Sequence, residues 1–197
     1  MRMKNKIFLL FLLPICLLGM SMSNASVKDP LHFYNSQTRQ LVETKNSYYR
    51  KTKAKPEVIL VSVKNDDQIK QLKPSSKQVI IATGHSQNDR KNVQILAGKS
   101  LQKVLSQTQV ANIIRYAGKD LRSKKNATFN KGIRSVVNAC TTLIDQKYNF
   151  PGDKNTLTSQ QMQKINHPQS VNLVWGIVIA IIATGAFTWY EHWKIKN

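Results

Sequence analysis

Three short runs of aliphatic and β-branched residues mark the middle of the chain. Residues 57–63 (EVILVSV), 78–83 (QVIIAT) and 92–97 (NVQILA) have the length of strands and are bounded by polar or turn-forming residues. The first two runs are hydrophobic almost without interruption, which is typical of strands covered on both faces. The sequence therefore predicts a small, largely buried sheet.

Segments with helical spacing surround these predicted strands. Residues 36–51 carry apolar side chains along one side, and residues 64–74 predict a turn with a short helix. Two further stripes have helical spacing: Val110, Ile113, Ile114, Ala117 and Leu121, and then Phe129, Ile133, Val136, Val137, Cys140 and Ile144. Helices packed on a small sheet make an α/β layer structure.

The two ends of the chain differ from this middle part. Residues 1–25 have a basic start, an apolar run and the small residues Ser23 and Ala25, which is the layout of a secretory signal peptide. An uncleaved N-terminal anchor is the alternative. Residues 171–190 contain no charged side chain and predict one transmembrane helix, followed by a cytoplasmic tail at 191–197. The middle part would then lie outside the cell, on a single-pass membrane protein.

The predicted transmembrane helix and the segment before it carry two lesser signals. Gly176, Ala180 and Thr184 form a line of small residues along which two such helices could pack. Residues 148–170 are polar and contain few apolar anchors, so we expect a flexible linker there, with a short helix near 159–165.

Charge is the most unusual property of the chain. Lys and Arg number 30 against 10 acidic residues, a net charge of +20. Three of the basic residues precede residue 26, and two basic residues and one acid follow residue 170. The segment between them therefore has a net charge of +16. Such a surface attracts anionic partners. Because export argues against nucleic acid, we expect anionic lipid or cell-wall polymer, or else basic side chains that only keep the surface solvated.

Residues that carry catalytic chemistry are sparse. Without the signal peptide Cys140 is the only cysteine, and its place in an apolar stripe favours a small buried side chain over a catalytic thiol. The four histidines lie far apart and none has the spacing of a metal ligand pair. The sequence therefore predicts no catalytic residue, no metal and no cofactor.

A family resemblance becomes visible over residues 92–145. The stretch VQILAGKSLQKVLSQTQVANII, with a turn that begins at Gly98, precedes FNKGIRSVVNACTTLID. This order is similar to that of the TPM domain family, named in part after a thylakoid lumen protein and a photosystem-repair protein. Members have a strand ending in a G-Y-G-L-E turn, then V-L-P-D and a helix carrying I-I. The resemblance covers residues 33–147 and implies a small central sheet of about four strands sandwiched between helices.

The departures from the family pattern bear on activity. Some TPM proteins are described as phosphatases or as calcium-binding, through acidic residues near the edge of the sheet. Here Ser100 replaces the second glycine of the turn, and Gln102 and Gln107 stand where the family has acids. Each lost carboxylate removes a full charge from a site for a hard cation. Asp89 remains as a weak metal candidate, so a divergent phosphatase or calcium-binding protein is the alternative to a non-enzymatic relative.

Together these observations predict a membrane-anchored extracellular module that binds a membrane or cell-envelope partner without catalysis. The predicted anion contacts lie around the glycine-rich turn and the helix after it: Lys91, Lys99, Lys103, Arg115, Lys119 and Arg122. A structural role beside another membrane protein, through the predicted transmembrane helix, is a further alternative.

Overall fold

A four-stranded mixed sheet lies at the centre of the chain. The computed structural model describes residues 25–85 and 91–167. Its strands, in spatial as well as sequence order, are β1 (Val27–Lys28), β2 (Glu57–Ser62), β3 (Gln78–His85) and β4 (Lys91–Ala97). The first three strands are parallel, and β4 returns antiparallel to β3. The carboxyl ends of β1, β2 and β3 therefore meet at one edge of the sheet, together with the first residue of β4.

In the part of the chain that the structure describes, five helices accompany the sheet: α1 (Ser36–Arg50), α2 (Asp66–Lys70), α3 (Gln107–Leu121), α4 (Asn126–Tyr148) and α5 (Ser159–Asn166). Local side chains determine where several of them begin. Ser106 accepts a hydrogen bond from the backbone N–H of Gln109 at the start of α3, and Thr158 and Gln161 form a reciprocal capping box at α5. Such caps satisfy donors that the first turn of a helix leaves unpaired.

The two faces of the sheet are covered unequally. One face packs on α1, α3, α4 and α5 and contributes Val58, Leu60, Val79, Ile81, Val93 and Ile95 to the main core. The other face has a smaller cluster, Ile59, Val61, Ile80 and Ala82, covered by Ile69 of the short helix α2. The expectation of a sheet sandwiched between helices is therefore corrected: among the described residues, four helices cover one face and the short helix α2 covers the other.

The predicted fold class, which combined an α/β domain with a transmembrane helix, also needs a correction. The α/β part, with a sheet of four strands, is as expected. Across residues 25–85 and 91–167, however, no helix is long and apolar enough to cross a membrane. The longest described helix, α4, spans 23 residues but carries Lys131, Arg134, Asp145 and Lys147, and its apolar side chains belong to the core. The predicted transmembrane helix at 171–190, with Gly176, Ala180 and Thr184, lies outside the described residues.

Residues 149–167 pack on the domain, contrary to the expectation of a flexible linker. Met162 and Ile165 of α5 are buried in the main core, and Phe150 and Leu157 pack against it. The backbone N–H of Leu157 also donates to Thr142 Oγ1 at 3.0 Å. The segment has few apolar residues, but nearly all of them face the core. Its polar composition therefore does not make it a flexible linker.

The strand β1 was not predicted either. It is only two residues long, and Val27 and Lys28 pair with Leu60 and Val61 of β2. The backbone N–H of Leu60 donates to Ser26 O at 2.9 Å. A two-residue strand leaves no periodic pattern for sequence reasoning to detect.

Candidate functional site

The glycine-rich turn packs tightly against the loop before β3. The N–H of Gly98 donates to Gln78 O at 2.8 Å, and the N–H of Ser100 donates to Ser76 O at 2.9 Å. The hydroxyls of Ser76 and Ser100 are 2.7 Å apart and share a hydrogen bond. A Cβ atom on Gly98 would come within 2.6 Å of Ser76 O and closer still to Ser75 O. Gly98 is therefore required because two backbone segments meet there.

An open cavity of about 550 Å³ lies beside this turn. It is lined by the end of β4, by the turn and by the start of α3: Pro74, Ile95, Leu96, Ala97, Gln102, Leu105, Ser106, Gln107 and Val110. Gln102 and Gln107, which the predicted resemblance aligns with acids, thus share one cavity. Their amides can donate and accept hydrogen bonds but bring no negative charge to it. The cavity therefore suits a neutral or anionic group better than a cation.

Five of the six predicted anion contacts fall into two groups. Lys99 and Lys103 are exposed on the turn, next to the cavity. Arg115, Lys119 and Arg122 are exposed along the second half of α3 and at its C-terminal cap, at spacings of four and three residues that place them on one side of the helix. The first group precedes α3, and the second lies on its second half and its C-terminal cap, so the two groups are separate.

Lys91 occupies a different environment, at the opposite end of β4 from the turn. It is half-buried, and its Nζ lies 4.9 Å from the ring centre of Phe33 and 4.1 Å from that of Phe129. Burial lowers the pKa of Lys91, while the charge of Asp29 acts in the opposite direction. The two aromatic rings lie close to this ammonium group, and Lys91 is the least exposed of the predicted contacts.

The charges of the described chain are unevenly paired. All eight of its carboxylates have a partner in the structure. Five of them pair with Arg39, Lys45, Lys70 or Lys131, and Glu43, Glu57 and Asp66 accept from neutral side chains. None of the six predicted anion contacts is ion-paired within the described part of the chain. The surplus of positive charge is therefore left on the surface.

A buried ionic cluster escaped the sequence reasoning. Lys45 of α1 is 6 % exposed, and its Nζ donates to Asp145 Oδ2 at 2.6 Å and to Asp153 Oδ2 at 2.8 Å. Tyr49 donates its hydroxyl to the other oxygen of Asp145 at 2.8 Å. Burial opposes the charge on Lys45, but the hydrogen bonds that its ammonium group donates to both carboxylates, together with their negative charge, outweigh burial and raise the pKa of Lys45. This cluster ties α1, α4 and the loop before α5 together.

The signal for this cluster is present in the sequence but faint. Lys45 lies four residues before Tyr49, and Asp145 lies at the end of the apolar stripe that includes Cys140. Cys140 itself is fully buried, and burial raises the pKa of its thiol to about 12. It therefore remains a neutral, unreactive thiol at physiological pH, consistent with a packing role.

The described residues contain no cluster that could hold a metal ion. Within residues 25–85 and 91–167 no three potential ligands among His, Cys, Asp and Glu come together. Asp89 lies outside the described residues, so the calcium-binding and phosphatase alternatives stay untested.

Comparison with known proteins adds no relative. No family model matches the chain, and no curated protein matches it. The resemblance to the TPM domain family therefore remains a prediction that rests on the residues quoted above.

Proposed function

We propose that this domain is a non-enzymatic binding module that holds an anionic partner of the cell envelope against its basic surface. One observation carries the proposal: within residues 25–85 and 91–167 every carboxylate has an internal partner, whereas Lys99, Lys103 and the exposed basic residues of α3 have no acidic partner. A surface with unpaired charge of one sign concentrates and orients partners of the opposite sign.

The principal contacts in this proposal are Arg115, Lys119 and Arg122 on α3, with Lys99 and Lys103 on the turn. Arg115 keeps one loose local contact, a 3.3 Å hydrogen bond from Nη1 to Asn112 Oδ1, which an incoming anion can replace. Arginine presents a planar fork that matches a carboxylate or phosphate. Lys91 is left out of this set, because its ammonium group lies between Phe33 and Phe129.

The test uses the full-length chain and poly-glutamate as a soluble anionic probe. The triple variant Arg115→Gln, Lys119→Gln, Arg122→Gln removes the charges of α3 without touching the core. We expect it to bind the probe at least about tenfold more weakly than the unmodified chain at low salt, a loss of about 1.4 kcal/mol. Fluorescence anisotropy of labelled poly-glutamate measures the affinity.

A matched variant separates a specific surface from net charge. Lys51→Gln, Lys53→Gln, Lys64→Gln also removes three exposed charges, none of which lies on the turn or on α3. It is expected to keep most of the affinity. Equal losses in the two triple variants would mean that only total charge matters, and the assignment of this surface would have to be abandoned.

A further inference from the structure

The strand β4 is an edge strand, and its outward backbone groups can be identified. Gly98 N–H donates to Gln78 O, which fixes the alternation of the antiparallel pair. Asn92, Gln94 and Leu96 therefore direct their N–H and C=O groups toward β3. The backbone groups of Val93, Ile95 and Ala97 point the other way, out of the sheet.

These outward groups have no hydrogen-bond partner among residues 25–85 and 91–167. β4 is the last strand in the sheet order, and no backbone or side-chain hydrogen bond joins Val93, Ile95 or Ala97 to a neighbour on that side. An edge of this kind is a template on which another extended chain can pair. No proline or bulge interrupts the β4 ladder, and its register runs unbroken from Lys91 to Ala97.

The cavity described above lies along the same edge. It is lined by Ile95, Leu96 and Ala97 on one side and by Leu105 and Val110 on the other. Its volume of about 550 Å³ is in the range of pockets that hold small ligands, so it has room for one or two side chains of an added strand. Backbone pairing groups and a side-chain pocket thus occur together.

We propose that β4 is a docking edge for an extended acidic segment of a partner protein, which adds to the sheet as a fifth strand and places apolar side chains in the cavity. The positive charge beside the cavity favours an acidic segment as the added strand. Lys99 and Lys103 are exposed at the cavity end of β4 and have no ion pair among the described residues. Backbone hydrogen bonds supply affinity in this mode of recognition, and side chains supply specificity.

A second copy of the chain is a poorer occupant of this edge. Pairing β4 with itself would bring together two domains that each carry a large surplus of positive charge, and like charges across a strand pair are destabilising. The inference rests on the proposed function, because it names the kind of anionic partner that the basic surface holds.

Hydrogen exchange on the full-length chain tests the edge directly. In the free protein we expect the amides of Val93, Ile95 and Ala97 to exchange much faster than those of Asn92, Gln94 and Leu96. Addition of a synthetic peptide of about eight residues that alternates valine and glutamate should slow the first set selectively. Outward amides that are already protected without peptide would overturn the proposal, since the edge would then be occupied by this chain or by a second copy.

Alternate N-methylation of the same peptide distinguishes strand pairing from electrostatic capture. One version carries methyl groups on the valine amides and the other on the glutamate amides, and the charge is identical. In a strand, the N–H groups of alternate residues point to opposite edges, so only one of the two methylation patterns blocks the N–H groups that face β4. We expect the peptide with that pattern to bind at least about tenfold more weakly. Equal affinity of the two methylated peptides overturns the proposal. If added salt still weakens the binding of both peptides, electrostatic binding by the basic surface stands and only the strand addition is refuted.

A protein variant provides the matching control. Ala97→Pro removes an outward N–H without breaking a hydrogen bond to β3, whereas Ala97→Val adds comparable bulk and keeps the N–H. We expect the proline variant to lose about tenfold in affinity for the unmethylated peptide and the valine variant to lose much less. Unchanged affinity in Ala97→Pro contradicts strand addition. If Ala97→Pro does not fold, the methylated peptides still decide.

Discussion

At the scale of single residues, Lys45 shows how a charge can be held almost wholly inside this protein. Its ammonium group has two carboxylate partners, and Tyr49 satisfies the remaining oxygen of Asp145. Removal of one member of a buried ion pair leaves the other charge unpaired away from water. The cost of such a loss is larger than the net contribution of the intact pair.

We therefore expect Lys45→Met to lower the free energy of unfolding by about 3–5 kcal/mol. Lys70→Met is the matched control, because Lys70 and Asp67 form a pair of similar length, 2.8 Å, that is largely exposed. That variant should change stability little. Urea denaturation followed by circular dichroism measures both. A stability of Lys45→Met equal to that of Lys70→Met would show that the buried cluster is not formed.

Gly98 illustrates a different constraint, the close approach of two backbone segments. A methyl group there collides with the carbonyl oxygens of Ser75 and Ser76, which cannot move without disturbing the start of β3. We expect Gly98→Ala to cost about 1–3 kcal/mol of stability. Gly152→Ala is the control, since its Cβ would meet only the side chain of Thr156 at 3.2 Å. If both variants unfold at the same denaturant concentration, the tight packing of the turn is refuted.

At the scale of elements, the sequence predicts the strands and helices whose apolar residues recur at a regular spacing. It does not predict those without such a spacing. The strands near residues 57, 78 and 92 and the stripes of α3 and α4 were found, because burial of one face imposes regular spacing. Ile113, Ala117 and Leu121 are buried as that spacing requires. Strand order, in contrast, depends on contacts between distant segments that local patterns do not encode.

The same reasoning explains why the site was only partly predictable. Exposed basic residues can be counted from the sequence, but their lack of acidic partners depends on where Asp29, Asp145 and the other acids fold. Lys91 lies close to the rings of Phe33 and Phe129, which are distant in the sequence, so no local motif predicts this contact. The open edge of β4 likewise follows from the sheet order, which only the fold supplies.

The helix α5 is an element whose role differs from its prediction. Ile165 is fully buried, so its side chain contributes to the core rather than to a loose linker. We expect Ile165→Ala to cost about 2–4 kcal/mol of unfolding free energy. Gln163→Ala, on the exposed side of the same helix, should stay within about 0.5 kcal/mol of the parent. Chemical denaturation decides, and equal stability of the two variants would restore the linker interpretation.

At the scale of the whole molecule, four buried groups make stability fall at alkaline pH. Burial raises the pKa of Tyr34 and of Tyr49 above the usual tyrosine range and the pKa of Cys140 to about 12. Burial opposes the charge on Lys45, but its two carboxylate partners raise the pKa of Lys45 nonetheless. The folded chain thus keeps these protons to higher pH than the unfolded chain. Folding is favoured below the ordinary pKa values and loses that advantage as pH rises through them.

We expect the free energy of unfolding to be nearly constant up to about pH 8 and to fall steadily above about pH 9. Tyr34→Phe removes one of the four groups and should make the fall above about pH 10 less steep. Denaturant midpoints measured at a series of pH values provide the test. A profile that stays flat to pH 11 in the parent chain would contradict the burial of these groups.

The proposed binding of an anionic partner depends on the surface charge of the whole molecule. The most direct measurement is the affinity of the full-length chain for poly-glutamate as salt is raised from about 50 mM to about 500 mM. Screening shortens the reach of exposed charges from about 14 Å to about 4 Å over this range. We predict that affinity falls steeply and continuously with salt. Affinity that does not change with salt, or an absence of binding at the lowest salt, would contradict the account.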